Sequence, residues 1–273
     1  MFLFYLIKFV WRRLGRLLVP LRLRIARILY RNPDFKRSVT KLDPWTVLKG
    51  STVATQEAEA MIFVRKHTSI PIPTLLDVWE LKDASYGFIR ISMCRGVQLD
   101  EAWPNMTDSS RSRTVNELKA YMQELRGLQQ PAPHGWVGST NRRSVYCPRI
   151  SMMGPRGPWN SGKEFHSYLL ECLEQYRKAE ELKQKFARVL SYNHDIVYSH
   201  ADLSFENILV DQNTGKVTAI LDWSMAGWWP EYWEYRKAMY GSRPGKKWWV
   251  DLVKTIMAPW KDEFSLDSEL QVF

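Results

Sequence analysis

The stretch Ile196–Gly227 constrains the fold of this chain more than any other segment. Its two short apolar runs, Ile208–Val210 and Val217–Leu221, flank Asp211–Lys216, whose composition is typical of a turn. This spacing predicts two strands that pair as a hairpin, with a further strand over Ile196–Ser199 just before them. Polar side chains then occupy defined places around the open end of the hairpin.

Two of these polar residues bracket the predicted hairpin. Asn207 precedes the first run, Asp222 follows the second, and symmetric pairing places the midpoint between Thr214 and Gly215. Asn207 and Asp222 then face each other with Cβ atoms about 5 Å apart, close enough to bind one Mg²⁺ through oxygens at about 2.1 Å. Asp202 lies in the loop before the hairpin, where its carboxylate is placed to accept a proton from a substrate hydroxyl.

The rest of the chain predicts an α+β protein with two lobes. A length of 273 residues, 45% of them hydrophobic and 25% charged, excludes a disordered or fibrous chain. We expect an N-terminal arm over 1–33, a small mixed N-lobe over 34–95, and a larger, mainly helical C-lobe over 96–273. The predicted elements are strands Thr46–Lys49 and Gly87–Met93, a helix over Thr55–His67, a helix capped by Ser109 and Ser110, and a helix whose apolar face runs from Phe165 to Tyr176.

The positive charge is concentrated at the start of the chain. Residues 1–33 hold eight basic residues and no acid, and without these eight charges the net charge of +10 falls to +2. The remaining residues offer no broad basic face for a phosphate backbone, so we expect no nucleic-acid partner. The longest uncharged stretch of the arm, Met1–Ile7, is far shorter than the roughly 20 residues that span a bilayer.

The arm itself has the pattern of an amphipathic, cationic helix. Three interpretations stay open: peripheral membrane contact through residues 1–31, an organelle-targeting peptide, or a helix packed on its own domain.

The three cysteines stand far apart, which predicts neither a disulfide framework nor a cysteine zinc site. We therefore expect an intracellular, cytoplasmic protein unless the arm directs it elsewhere. The sequence carries no signal for its oligomeric state.

A set of motifs resembles a known family. His200-Ala201-Asp202-Leu203, followed by Asn207 and Asp222-Trp223, resembles the catalytic segment of the protein-kinase-like phosphotransferases. It is most similar to their aminoglycoside-phosphotransferase branch, in particular to fungal aminoglycoside-phosphotransferase domain proteins. The resemblance begins near Lys36 and covers most of the chain. It includes Val47-Leu48-Lys49, Glu57-Ala58-Glu59-Ala60-Met61, the segment from His67 to Pro73, Arg95-Gly96, Gly157-Pro158-Trp159-Asn160, Ala226-Gly227, and the segment from Pro230 to Tyr235.

This resemblance implies a protein-kinase-like two-lobed fold and a definite chemistry. The chain would transfer the γ-phosphoryl group of ATP, with Mg²⁺, to a hydroxyl of an unknown small molecule. Asp202 would be the catalytic base, and Asn207 and Asp222 would hold the metal. His200 would brace the catalytic loop.

The resemblance also assigns residues of the predicted N-lobe to the nucleotide. Lys49 would contact the α and β phosphates and form an ion pair with Glu57, which we favour over Glu59 as its partner. Met93 and Arg95 would belong to the hinge segment against which adenine packs.

Some departures from the family pattern favour an alternative function. No glycine occurs between Gly15 and Gly50, so no glycine-rich loop is visible before Lys49. Ser204 stands where relatives carry a basic or imidazole side chain, and Ser224 where many carry an acid. The alternative is a nucleotide-binding pseudokinase or scaffold without turnover, membrane-peripheral through its arm. For an active enzyme, the sequence places an amine-bearing acceptor near two acids after Lys163, Glu164 and Glu171.

Overall fold

Most of the chain outside the N-terminal arm is described by the structure, a computed structural model. It describes residues 39–81, 86–148, 150, 154–172, 179–189, 194–240 and 245–270, together with Leu21, Arg24 and Ile25. The predicted arm, apart from these three residues, and the predicted helical turn around Tyr176 lie outside the described residues. No helix of the described part has both the length and the apolar character needed to cross a membrane.

The chain divides into two compact units. The small unit comprises Met1–Ala58 and Pro73–Cys94, and the large unit comprises Glu59–Ile72 and Arg95–Phe273. One division falls inside a helix, α1 (Ala54–His67), so this helix contributes its first turn to the small unit and the rest to the large unit.

The small unit is built on an antiparallel sheet of order β1-β2-β4-β3. Its strands are β1 (Val39–Asp43), β2 (Thr46–Ser51), β3 (Leu75–Glu80) and β4 (Gly87–Ser92). The turn between the first two strands is closed by Asp43, whose carboxylate accepts hydrogen bonds from Trp45 N at 2.9 Å and Thr46 Oγ1 at 2.7 Å. One apolar cluster of the sheet comprises Leu42, Leu48, Trp79 and Phe88.

The large unit combines helices with two small sheets, of order β6-β10-β7 and β5-β8-β9. Its strands are β5 (Val97–Gln98), β6 (Gly138–Ser139), β7 (Ile196–Ser199), β8 (Ile208–Val210), β9 (Val217–Ile220) and β10 (Gly227–Pro230). Its helices are α2 (Leu99–Ala102), α3 (Asp108–Arg126), α4 (Gly162–Glu171), α5 (Ala179–Val189), α6 (Trp233–Ala238), α7 (Lys247–Ile256) and α8 (Lys261–Leu270).

The aromatic residues of the large unit form much of its core. Trp229 of β10 stacks on Trp233 of α6, with ring centroids 4.9 Å apart and planes only 4° from parallel. The ring of Phe165, from α4, meets Trp233 edge-on at 5.2 Å. All six residues of α6 are buried, so this helix lies inside the unit with no face in solvent.

Helix α3 begins earlier than its predicted caps. We expected Ser109 or Ser110 to cap it, but Thr107 is the N-cap residue and its hydroxyl accepts a hydrogen bond from Ser110 N at 3.1 Å. The prediction was wrong because Ser110 lies in the first turn and its hydroxyl is engaged elsewhere. It donates to the carbonyl of Asn213, in the turn between β8 and β9, at 2.8 Å.

The same face of α3 holds the hairpin turn at two further points. Thr114 Oγ1 donates to Gly215 O at 2.7 Å, and Glu117 Oε2 accepts from Val217 N at 2.8 Å. Gly215 has a φ of +71°, which a glycine adopts without strain, and its backbone lies against Ser110. The long helix therefore fixes the turn end of the hairpin while its open end is left for other contacts.

The hairpin register differs from the symmetric pairing expected from the sequence. Ile208 pairs with Ile220, and Leu221 N donates to Asn207 O at 2.7 Å, so Asn207 lies opposite Leu221 and not opposite Asp222. Next to the turn the departure is larger, because Val210 pairs with Val217, two residues from its symmetric partner, and the shift between Leu209 and Val210 reduces it to one residue. Asp222 lies one residue beyond the pair, with a left-handed φ of +59°.

Candidate active site

In the small unit, Lys49 and Glu57 form a buried ion pair. Lys49 Nζ lies 2.9 Å from each carboxylate oxygen of Glu57, and only 11% and 2% of the two side chains is exposed. Their meeting follows from the short connection between β2, which carries the lysine, and the first turn of α1, which carries the glutamate. Glu59, the other predicted partner, instead pairs with Arg143 at 3.1 Å in the large unit.

The predicted hinge residues lie at the end of the small unit and the start of the large one. Met93 is 38% exposed, and its backbone N–H donates to Trp45 O at 2.7 Å, which ties the end of β4 to the turn after β1. Arg95 is exposed on the other side of the division at Cys94. Beyond it, Gly96 has a φ of +125° and lies close to the Val210 carbonyl, where a side chain would not fit.

In the large unit, His200 ties the loop after β7 to the end of β9. Its Nδ1 accepts a hydrogen bond from Asp202 N at 3.2 Å, and its Nε2 donates to Leu221 O at 2.8 Å. These two bonds require the neutral Nε2–H tautomer. The ring also packs edge-on against Trp223, with centroids 4.6 Å apart. His200 therefore braces the backbone of Asp202 against the residue before Asp222.

Asn207 connects the same loop to the hairpin. Its Nδ2 donates to Asp202 O at 2.9 Å and lies 3.4 Å from Asp202 Oδ2. Because the amide nitrogen faces Asp202, the amide oxygen of Asn207 is the atom left to bind a cation. Beyond the end of β9, Ser224 Oγ donates to Asp222 Oδ1 at 2.6 Å and so orients that carboxylate. The structure thus gathers Asp202, Asn207 and Asp222 around one loop and one strand end.

Two buried residues of α6 support this loop. Glu234 Oε2 accepts a hydrogen bond at 2.9 Å from the backbone N–H of Ala201, which has a strained φ of +59°. Lys237, one turn later, is 3% exposed and its Nζ lies 3.9 Å from Asp202 Oδ1. Lys237 was not predicted from the sequence, where the signal was three charged residues beside the two aromatic residues of Trp233–Ala238.

A buried histidine lies behind α6. His166 of α4 is 1% exposed, and its Nε2 lies 3.0 Å from the hydroxyl of Tyr232. Burial, with smaller contributions from His194 and Arg236, lowers the pKa of His166 to about 4. This imidazole is therefore neutral at physiological pH and serves as a hydrogen-bonding part of the core.

One of the two acids suggested for an acceptor amine, Glu164, lies in the first turn of α4. Both carboxylate oxygens of Glu164 face Asn160: Oε2 accepts from the backbone N–H at 2.7 Å, and both oxygens lie within 3.3 Å of Nδ2. Ser161 Oγ accepts from Glu164 N at 3.1 Å and caps α4. The Glu164 carboxylate thus helps to cap the N-terminus of α4, which accounts for an acid at this position without an acceptor.

The donor set at the loop fits magnesium. Among the described residues there is no cluster of three or more His, Cys, Asp or Glu that could hold a metal ion alone. A carboxylate and an amide oxygen are hard ligands, and Mg²⁺ in nucleotide sites is bound by one or two protein groups together with phosphates and waters. Asp222 and Asn207 provide such a pair, with Asp222 oriented by Ser224.

The chain has a protein-kinase-like fold, with one lobe built on a β-sheet and one mainly helical lobe. The chain belongs to the phosphotransferase enzyme family, whose family model matches residues 48–245. The predicted family and the α+β, protein-kinase-like fold class are therefore confirmed. No curated protein matches the chain in sequence.

Solved structures show the same fold at low sequence identity. The chain is similar to aminoglycoside 2'-phosphotransferase-IIIa in its GDP complex, with a TM-score of 0.59 and 14% identity over 91% of this chain and 88% of that one. A thermostable mutant of aminoglycoside phosphotransferase APH(4)-Ia, in complex with ADP and hygromycin B, has a TM-score of 0.54 and 16% identity over 83% and 78%. Aminoglycoside-3'-phosphotransferase of type VIII has a TM-score of 0.54 and 12% identity over 92% and 98%.

Proposed function

We propose that this phosphotransferase uses ATP and Mg²⁺ and transfers the γ-phosphoryl group to a hydroxyl of a small molecule. The observation that carries the proposal is the hydrogen bonding around Asp202: Asn207 binds it at 2.9 and 3.4 Å, and His200 connects its backbone to Leu221, the residue before Asp222, by bonds of 3.2 and 2.8 Å. Family membership supports the transfer reaction, and the complexes of similar proteins with GDP or ADP support a nucleotide donor.

Asp202 is the proposed catalytic base. Its side chain is 19% exposed, so it is accessible to a substrate, and its backbone is fixed by His200. In the proposed step the acceptor oxygen forms a bond to the γ-phosphorus while the bond from that phosphorus to the β–γ bridging oxygen breaks. The hydroxyl proton passes to the Asp202 carboxylate, and ADP leaves.

Asn207 and Asp222 are the proposed ligands of the metal. Bound there, Mg²⁺ supplies positive charge to the phosphate oxygens. Asn207 also orients Asp202 through its amide nitrogen, so one side chain serves both the base and the metal site. Ser224 fixes the second ligand by its hydrogen bond to Asp222.

Residues of the proposed N-lobe, 34–95, bind the rest of the nucleotide in this proposal. The ammonium group of Lys49 contacts the α and β phosphates, and Glu57 holds it in place by the 2.9 Å ion pair. Met93 and Arg95, in the segment after β4, contact the adenine side of the nucleotide. The proposed C-lobe, 96–273, supplies the base and the metal ligands.

The acceptor is proposed only as a class, a small molecule with a free hydroxyl. Hygromycin B is present with ADP in one structurally similar phosphotransferase. Similarity at 16% identity shows a shared fold, and one fold serves many acceptors, so the acceptor of this chain must be found by a screen.

Calorimetric titration of ATP into the chain, with and without Mg²⁺, tests the nucleotide site. We expect Mg²⁺-dependent binding that is lost in Asp222→Ala and kept in Asp251→Ala, which removes the same charge from an exposed position on α7. Absence of binding to the folded wild-type chain, or equal loss in both variants, would contradict the proposal.

ADP release in the presence of hydroxyl-bearing compounds tests transfer itself. We expect Asp202→Asn to abolish acceptor-dependent ADP release while ATP binding persists, because Asn cannot take the proton. Nucleotide binding without ADP release for any acceptor, water included, would favour the nucleotide-binding pseudokinase.

A further inference from the structure

The turn between β1 and β2 carries a tryptophan whose side chain lies in solvent. Trp45 is 74% exposed, more than any other large apolar side chain in the part of the chain that the structure describes. Its backbone is fixed on both sides: the N–H donates to Asp43 Oδ1 at 2.9 Å, and the carbonyl accepts from Met93 N at 2.7 Å. An indole ring held on a fixed backbone loses little conformational freedom when a flat apolar group binds to it.

The contact with Met93 extends the pairing of β2 with β4. Thr46 lies opposite Ser92 in the last pair of the two strands, and by the same register Trp45 lies opposite Met93. Side chains two residues apart along a strand point to the same face of a sheet. Trp45 and Met93 are therefore on the face of the sheet that carries Lys49.

This face differs from the apolar face of the same sheet. Leu48 belongs to the apolar cluster, whereas Lys49 points to α1, where its Nζ lies 2.9 Å from the Glu57 carboxylate. The exposed ring of Trp45 is thus on the side of the charged pair and not on the side of the apolar cluster.

The separation of Trp45 from Lys49 matches the length of a nucleotide. Four residues of a strand cover about 13 Å at about 3.3 Å per residue. An extended purine nucleotide has a similar length from the far edge of its base to its β-phosphate. When its phosphates contact Lys49 and it lies along β2, its base reaches the ring of Trp45.

We propose that Trp45 is a base-binding residue that selects purine nucleotides by stacking its indole ring on the base. The proposal rests on the proposed function in one respect, the contact of Lys49 with the phosphates, and it requires no transfer. Met93 lies opposite Trp45 and offers a second apolar contact. A stacked ring contacts the face of a base and not its hydrogen-bonding edge, so Trp45 favours the larger purines over pyrimidines without distinguishing adenine from guanine.

Calorimetric titration of MgATP and of adenosine into the full chain tests this contact. We expect Trp45→Ala to lower both affinities about five-fold or more, the strength of base–aromatic stacking, and Trp45→Phe to keep most of them. The affinity for magnesium tripolyphosphate, which has no base, should be unchanged. Leu81→Ala is the matched control, because it removes a 48% exposed apolar side chain beyond the end of β3 that pairs with the start of β4, and it should change none of the three affinities.

The outcomes separate this proposal from the proposed function. Unchanged MgATP and adenosine affinities in Trp45→Ala would overturn the role of Trp45 and leave the proposed nucleotide site intact. An equal loss for tripolyphosphate would also overturn it, because the effect would then not depend on the base. A wild-type chain that binds MgATP without transfer would contradict the proposed function, and the Trp45 titrations would still decide the contact. If the wild-type chain binds neither MgATP nor adenosine, both proposals fail.

A comparison of nucleotides adds a readout that a change in stability alone would not move. We expect Trp45→Ala to weaken MgATP and MgGTP by the same factor and MgCTP by less, so that the preference for purines falls. An unchanged ratio of MgATP to MgCTP affinity would overturn the stacking contact. Loss of self-association in Trp45→Ala, with all nucleotide affinities unchanged, would instead assign the exposed ring to a contact between copies of the chain.

Discussion

The two units hold their charged residues in different ways. In the small unit, Lys49 and Glu57 come from adjacent elements, and their side chains meet directly in one buried ion pair. In the large unit, the backbone around Asp202 is held by residues that are distant in the chain, such as Glu234 on α6 and Leu221 after β9. The first arrangement depends on side-chain charge, and the second depends on tertiary hydrogen bonds to a strained loop.

This difference predicts the largest stability effect for the ion pair. Glu57→Ala leaves the Lys49 ammonium buried without this carboxylate, which should lower the free energy of unfolding by about 3–5 kcal/mol in urea denaturation. Glu59→Ala is the matched control: its partner Arg143 has 54% of its side chain exposed, so we expect a loss of at most about 1 kcal/mol. Equal losses of unfolding free energy in the two variants would show that the buried pair contributes no more to stability than the pair of Glu59 with Arg143.

In the large unit, we expect stability to depend on a hydrogen-bond acceptor at position 234, which binds the loop at Ala201, and not on the charge of that acceptor. Glu234→Ala leaves the Ala201 N–H without its acceptor and should cost about 1–3 kcal/mol of unfolding free energy. Glu234→Gln keeps an oxygen at that place and should recover most of this loss. If Glu234→Gln is as destabilising as Glu234→Ala, charge matters here as well, and the contrast between the units disappears.

The core behind the loop predicts a pH dependence. The folded chain holds His166 with a pKa of about 4, below the 6.5 expected when unfolded, so between these values the unfolded state binds more protons. Stability from this group is complete above pH 6.5 and is lost as the pH falls toward 4, by at most about 1.4 kcal/mol per pH unit.

Urea denaturation of the wild type and of His166→Gln across this pH range isolates the contribution of His166 to the pH dependence of stability. We expect the wild type to lose more stability than the variant on acidification, with the two curves running parallel below pH 4. Parallel curves over the whole range would mean that His166 titrates alike in both states.

The smallest effect is expected at Asp222, the proposed metal ligand. Ser224→Ala removes the hydroxyl that orients Asp222 and should cost about 1 kcal/mol of MgATP binding, roughly a five-fold loss of affinity by calorimetry. Thr255→Ala, which removes a hydroxyl from exposed Thr255 of α7, should leave the affinity unchanged. A loss as large as that in Asp222→Ala would mean that Ser224 itself binds the ligand.

The sequence predicted local elements better than the contacts between them. The strand Ile196–Ser199 and the helix that ends at His67 lie where their patterns indicated, because apolar spacing and turn composition act within a few residues. The opposition of Asn207 and Asp222 was wrong by one residue, because the turn pairs Val210 with Val217 and the register then shifts between Leu209 and Val210, and neither feature leaves a trace in composition.

Around the candidate site, too, the sequence predicted local patterns but not contacts between distant elements. His200, Asp202, Asn207 and Asp222 were found through a spacing that the family resemblance makes recognisable, and their roles stay predictions. Lys237 was not found, because its relation to Asp202 exists only once α6 is packed inside the large unit. No local pattern distinguishes such a lysine from a solvated one.

Helix α6 has a consequence for how the protein can vary. Glu234 and Lys237 reach the loop from one helix of six buried residues. A single residue inserted within α6 before Glu234 would turn both side chains by about 100° around the helix axis and remove both contacts at once. An insertion in α6 would therefore remove both contacts with the loop that carries Asp202. A side-chain substitution in α6 would remove only one of them.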